Sequence, residues 1–295
     1  MKIPTRKTVE IKLKFLPVVA GGFVILLMMQ CPASAQTLAN RWSFFNAPSG
    51  GATVTDSVAN VVATLQGDAA LDGTEVNLDG NTGTYVSLSS NLLTGMQSVS
   101  LEGWVLSAAS PDNVCLFAFS DGSGNGNSYL RYVIHDGGNT DNKFELANVS
   151  GYPNQLVSAS VGWGGVPVHV VCVYDPVNGV QSIYTNGILE ATRNFPVNQT
   201  PLSSVSTNEA SLGKSPFSTY GDPYMAGSIS EFRIWNGALN AFQIAALDQS
   251  GYSTVSTNYG SVTAIQLQVA FTMQQYSSQQ AAVLASASGL TLQPN

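Results

Sequence analysis

The 295-residue chain carries 11 Lys and Arg against 18 Asp and Glu, and only 10% of its residues are charged. Five of the bases but a single acid lie in the first 35 residues, so the remainder holds 6 bases and 17 acids, net −11. Such a surface builds no basic patch, which excludes nucleic acid and an anionic membrane as partners.

The first 35 residues differ from the rest. Lys2, Arg6, Lys7, Lys12 and Lys14 precede an apolar run over 15–29, and Ala33-Ser34-Ala35 follows. A basic start, a short apolar stretch and a small-x-small site predict a secretory signal peptide over 1–35, removed after Ala35. The run falls short of the roughly 20 residues that a membrane-spanning helix needs. The expected location is therefore secreted or cell-surface, with no membrane insertion after cleavage. Two cysteines remain, Cys115 and Cys172, each inside an apolar strand pattern. They read as two buried thiols, or as a disulfide if their strands are neighbours in an oxidising compartment.

Strand patterns then recur at short spacing. Residues 38–45 form the first, followed by short strands at 63–65, 75–78 and 85–88, and a longer one over 98–106 that contains Trp104. Residues 114–120 are dense in apolar side chains, and the turn-rich DGSGNGN of 121–127 leads to strands at 129–135 and 143–148. The stretch 149–165, with Pro153 and glycines around Trp163, reads as a long loop. VPVHVVCVY at 166–174 is rich in β-branched residues. Asn186-Gly187 between strands at 179–185 and 188–194 is a hairpin signal, because both turn positions need positive φ. Strands at 209–213 and 228–235 follow. In the latter, apolar residues occur at both parities, so both its faces are expected to be covered.

Asn240 with Gln243 three residues on opens a short helix through an Asn-x-x-Gln capping box. After Asp248 no charged residue occurs. Residues 249–295 read as a semi-ordered Gln/Ser/Ala-rich tail, with an alternating stretch at 262–271 and a weak helical one at 274–284. About a dozen strands and one helix over 38–248 predict an all-β two-sheet sandwich, jelly roll or barrel with one core.

Four segments in order carry a resemblance. They are Arg41-Trp42-Ser43-Phe44 with Thr55-Asp56-Ser57; Val76-Asn77-Leu78-Asp79-Gly80 with Leu101-Glu102-Gly103-Trp104; His169 to Asp175 with Tyr184-Thr185-Asn186-Gly187; and Asp222-Pro223-Tyr224 with the strand and helix up to Leu247. Together they resemble the laminin-G-like, concanavalin-A-like jelly-roll domains of bacterial secreted proteins. The resemblance implies two antiparallel sheets packed face to face. Ser230 stands where relatives often carry Asp, so a calcium site using that carboxylate is not expected.

Glucanases of this fold need paired carboxylates on one strand, with an acid and a base or nucleophile about 5–9 Å apart. Here Glu102 and Glu231 stand singly. Only His135 and His169 are present, and there is no Gly-x-Ser-x-Gly elbow. His169, on an apolar strand, reads as a satisfied sheet histidine. No catalytic residue is assigned. Rim loops offer the remaining candidates. Asp121, Asp136 and Asp222 could supply oxygens to a structural calcium ion, or could simply make turns. Trp163, Tyr152 and Tyr220 could stack on a sugar, and Trp163 could equally anchor its loop. Asn148 and Asn198 sit in glycosylation sequons. The expectation is a secreted, non-catalytic module for a glycan or extracellular protein ligand, the alternative being a structural or adhesive surface protein without a small ligand.

Overall fold

The computed structural model describes residues 36–108, 112–136, 141–148, 155–159 and 163–255. The expected leader, Tyr152 and the tail stretches at 262–271 and 274–284 lie outside these residues. In chain order the strands are β1 (Thr37–Ser43), β2 (Thr53–Thr55), β3 (Val62–Gln66), β4 (Ala70–Leu71), β5 (Val76–Asp79), β6 (Tyr85–Leu88), β7 (Val99–Ser107) and β8 (Val114–Ser120). They continue as β9 (Tyr129–His135), β10 (Asn142–Ala147), β11 (Gln155–Ala159), β12 (Pro167–Asp175), β13 (Val180–Thr185), β14 (Ile188–Asn194), β15 (Glu209–Leu212) and β16 (Ala226–Asn236), followed by helix α1 (Ala241–Ser250).

They form two antiparallel sheets. The first runs β14-β13-β12-β7-β16-β5-β4, with β1 also on β16; the second runs β11-β10-β9-β8-β15-β6-β3-β2. The long β16 pairs with β7 along one edge, and its other edge takes β5 over Ala226–Ile229 and β1 over Glu231–Asn236. This is a jelly-roll sandwich, as the strand spacing and the resemblance imply.

Alternation along each strand sorts side chains between the sheets and away from them. Trp42, Leu101, Phe117, Tyr132, Phe144, Cys172 and Phe232 meet between the sheets in the main core. There Phe117 packs at 5.8 Å from Phe232 and 6.0 Å from Tyr132, and Trp42 stacks on Phe232 at 6.3 Å. Truncating any one of these buried rings to Ala would cost about 3–5 kcal/mol. A second, smaller cluster lies on the outer face of the first sheet. Val171, Val173, Tyr184 and Trp235 take Leu239, Ile244 and Leu247 from the α1 region there. Strands β12 and β16 are thus covered on both faces, which is why their apolar residues occupy both parities.

Local signals behave as their chemistry requires. Asn186 and Gly187 have φ of 48° and 75°, and turn β13 into β14. The Asn240 side chain accepts from the backbone N–H of Phe242 and of Gln243, both at 3.0 Å, while the Gln243 side chain accepts from Asn240 N at 2.9 Å. Two corrections concern strands. β2 and β4 are too short, at three and two residues, to show a period. The expected loop over 149–165 contains β11, which pairs with β10 at the edge of the second sheet. Pro153 and the flanking glycines hide it by breaking the pattern on either side. Among the described residues no helix is long and apolar enough to cross a membrane.

Candidate functional site

Four strands of the second sheet, β6, β9, β10 and β15, present their odd positions on its outer face, whereas the bulged β8 turns Phe117 and Phe119 into the core. β9 sends Tyr129 and Arg131 outward, β10 sends Glu145, β15 sends Glu209, and β6 sends Tyr85, while their neighbours Leu130, Tyr132, Phe144, Leu146, Ala210, Leu212 and Val86 enter the core. Two loops close over one end of this face and form a rim. One is the 121–127 turn between β8 and β9. The other is the 213–225 segment between β15 and β16, which contains a short 3-10 turn, Ser218–Tyr220.

The loops are tied by backbone and hydroxyl contacts. Gly126 N donates to Pro216 O at 2.9 Å, Thr219 N donates to Gly124 O at 3.1 Å, and the Thr219 hydroxyl lies 2.6 Å from Gly124 O. Gly126 has φ +64°, and a Cβ there would fall 2.0 Å from the Phe217 ring. Only glycine meets both conditions at this junction. Phe217 in turn lies 4.5 Å over the Arg131 guanidinium and edge-on to Tyr129 at 5.2 Å.

Beneath Phe217, Arg131 is buried among acceptors. It donates to Glu145 at 2.7 Å, to Asp222 at 3.2 Å and to the Ser215 hydroxyl at 3.3 Å. The Ser215 hydroxyl donates to Asp222 at 2.6 Å. One guanidinium thus carries two carboxylates, the arrangement that lets charges be buried at tolerable cost. Farther along the same segment Lys214 pairs with Glu209 and lies 5.0 Å over the Tyr85 ring, with Tyr224 at 6.1 Å from Tyr85. Burial opposes the Lys214 charge, but the Glu209 carboxylate outweighs it and raises the lysine pKa. Tyr220 projects from the rim with 73% of its surface exposed. The face offers tyrosine rings, amide and hydroxyl groups from Ser123, Asn125 and Asn127, and charges already paired.

The structure brings some expected site residues together and separates others. Tyr220 stands on the rim, and Asp121 lies in the partner loop, where it accepts from Ser123 N at 3.0 Å and the Ser123 hydroxyl at 2.8 Å. Asp222 turns inward to Arg131, and Asp136 pairs with Lys143. Each expected calcium ligand therefore faces hydrogen-bond donors, and among the described residues no three His, Cys, Asp or Glu gather as a metal group. Trp163 is not at the rim. Its indole N–H donates to Tyr132 Oη at 3.0 Å, and its ring packs on the main core, so it anchors its loop. Cys115 and Cys172 are free and buried, which corrects the disulfide alternative. Cys172 points between the sheets, whereas Cys115 points to the outer face of the other sheet beside Arg131. Burial pushes the Cys115 thiol up to about 11 and the Cys172 thiol well above its ordinary value.

Sequence reasoning missed Tyr85, Tyr224, Phe217, Lys214 and Glu209. Parity could have found Tyr85, since Val86 and Leu88 claim the core side of that strand. The others lie in an irregular segment whose path follows from its contacts, not from a period.

A second cluster, under α1 on the first sheet, is closed to ligands. His169 lies 3.1 Å from Glu102 on one side and 3.1 Å from Asp248 on the other. Trp104 stacks on it at 4.2 Å, with Arg233 at 4.4 Å over Trp104. Glu102 also accepts from Trp235 Nε1 at 2.6 Å and from Arg233 at 3.4 Å, while Glu231 accepts from Arg41 at 2.6 Å and from Arg233. Arg233 further donates to the Tyr252 carbonyl at 2.7 Å, so residues 251–255 strap across this face. Burial opposes protonation of His169, but Asp248 and Glu102 outweigh it and raise its pKa.

Similarity to known proteins agrees with this architecture. No curated protein matches the chain. Among solved structures, domain 4 of an extracellular GH43 arabinanase from Geobacillus stearothermophilus, determined with arabinotriose, superposes with a TM-score of 0.55 at 20% identity, covering 73% of this chain and 100% of that one. The binding domain of botulinum neurotoxin serotype C1 superposes with a TM-score of 0.54 at 18% identity, covering 73% of this chain and 52% of that one. The chain thus spans about half of the neurotoxin domain, and at these identities the likeness is one of fold. The family model described as the concanavalin A-like lectin/glucanases superfamily, of laminin G type, matches residues 79–245, and the chain belongs to that family.

Proposed function

We propose that the protein is a secreted, non-catalytic binding module that takes carbohydrate on the tyrosine rim of its second sheet. The observation that carries this reading is Tyr220. It is a large ring held out to solvent on a turn that two hydrogen-bonded loops fix in place, and a tyrosine so placed stacks on a sugar face at small entropic cost. Tyr85 and Tyr224 extend the aromatic surface. The arabinanase domain solved with arabinotriose and the neurotoxin binding domain support a ligand-binding role for the shared fold.

Absence of catalysis is supported by the state of the carboxylates. Hydrolysis of a glycoside needs two carboxyl groups flanking an open site. Glu102 and Glu231 are fully buried against Arg233, and Glu145 and Asp222 share Arg131. Secretion rests on the leader over 1–35, whose removal is checked by N-terminal sequencing of the exported protein.

The test is binding of residues 36–295 to an oligosaccharide panel that includes arabinotriose, by calorimetry or array. Tyr220→Ala is expected to weaken binding about tenfold or more while leaving stability within about 0.5 kcal/mol. A structural calcium ion is tested in the same assay, since binding that survives EDTA removes calcium from the reading. Failure of the wild-type chain to bind any member of the panel would favour a structural or adhesive surface role instead.

A further inference from the structure

The charges of the whole chain point to the class of ligand. Beyond the leader there are six basic residues, Arg41, Arg131, Lys143, Arg193, Lys214 and Arg233, and all lie among the described residues. Five of them hold carboxylates: Arg41 and Arg233 on Glu231, Arg131 on Glu145 and Asp222, Lys143 on Asp136, and Lys214 on Glu209. The sixth, Arg193, stands on β14, the edge strand of the opposite sheet. The outer face of the second sheet carries Arg131, Lys143 and Lys214, set against Glu145, Asp222, Asp136, Glu209 and Asp121. Its fixed charge is therefore negative, and its three cations are all committed.

We infer, on the reading that the rim binds carbohydrate, that its ligand is a neutral glycan and that carboxylated or sulfated glycans are rejected. A carboxylate or sulfate brought to this face meets like charge. To gain a charge-assisted bond it must displace Glu209 from Lys214, Asp222 from Arg131 or Asp136 from Lys143. Any such exchange strands a protein carboxylate that was paired, at a cost that cancels the gain. A neutral polyhydroxylated chain meets no such exchange. It can stack on Tyr85, Tyr220 and Tyr224 and hydrogen-bond to the amides and hydroxyls of the 121–127 loop, leaving the ion pairs intact. Rejection of the anion arises from the acids that occupy the cations, which is specificity set by a repulsive element.

The experiment uses matched probes: neutral arabinan and arabinoxylan against polygalacturonate and dextran sulfate in affinity electrophoresis, and lactose against sialyllactose in solution. The expected result is binding of at least one neutral probe, with every acidic probe about tenfold or more weaker. Neutral binding should change less than about twofold between about 0.1 and about 1 M NaCl, which cuts the Debye length from roughly 10 to roughly 3 Å. Glu209→Gln, which frees Lys214 on a partly exposed part of the face, should raise the ratio of acidic to neutral binding about tenfold. Preference of the wild-type chain for an acidic probe, or binding that collapses with salt, overturns the neutral-ligand inference and leaves the glycan-binding reading standing. An unchanged ratio in Glu209→Gln also overturns it, because the paired acid would then not be the source of rejection. No binding of any probe by the wild-type chain overturns the underlying reading and the inference together.

Discussion

Replacing Glu102 with Gln keeps the shape of the side chain and removes its charge, so the effect isolates electrostatics from packing. The carboxylate is fully buried and receives Trp235 Nε1 at 2.6 Å, His169 Nε2 at 3.1 Å and Arg233 Nη1 at 3.4 Å. A hydrogen bond to a charged partner contributes about 1 kcal/mol more than a neutral one. Three such bonds give a loss of about 3 kcal/mol, and the amide N–H₂ must also face one of the former donors. For a domain of this size that lowers Tm by about 6–12 °C. Guanidinium unfolding of the 36–295 chain, followed by tryptophan fluorescence, should show a lower midpoint with an unchanged slope. A loss below about 1 kcal/mol would refute the view that this carboxylate organises the alternating charges under α1.

Three further outcomes follow from the same geometry. The raised pKa of His169 means that its charged form stabilises the fold, fully so below the ordinary value of 6.5; that contribution is lost as pH rises through the raised value, and His169→Gln should flatten this part of a stability–pH profile. Gly126→Ala forces a left-handed φ on alanine and drives a methyl into Phe217, so it should cost about 1–3 kcal/mol in denaturant and weaken glycan binding at the rim. Cys115 and Cys172, buried with raised pKa values, should resist an aromatic disulfide reagent in the native chain and react once it is unfolded; rapid native labelling of either would contradict their burial.

The scaffold was far more legible in the sequence than the site. β12 and β16 announce themselves because burial on both faces removes polar residues from both parities, and the helix start is legible because a cap is a local hydrogen-bonding device. β11 was missed because five residues between Pro153 and a glycine-rich stretch carry too little periodicity to register. The surroundings of the candidate site residues were less legible for a different reason. Trp163 looked exposed because glycines flank it, yet an indole N–H within reach of Tyr132 is drawn inward. Asp222 looked like a loop acid, but its partner Arg131 is 91 residues away in sequence. Such pairings depend on which strands become neighbours, and a single sequence does not encode them locally. Tyr220 was legible because exposure at a turn is a local property.

The pairing of β1 with β16 also sets a condition on how the chain acquires its structure. Arg41 meets Glu231 across 190 residues, and β5 docks on the same edge of β16. β1 therefore has no strand partner until β16 is made, and loop closure over that span precedes the reward from their pairing. Until then the pairing edge of β1 keeps its backbone N–H and C=O groups open. With this wiring the first sheet takes up β1 only after residues up to 236 have been made, and a chain cut short of β16 leaves that strand unpaired.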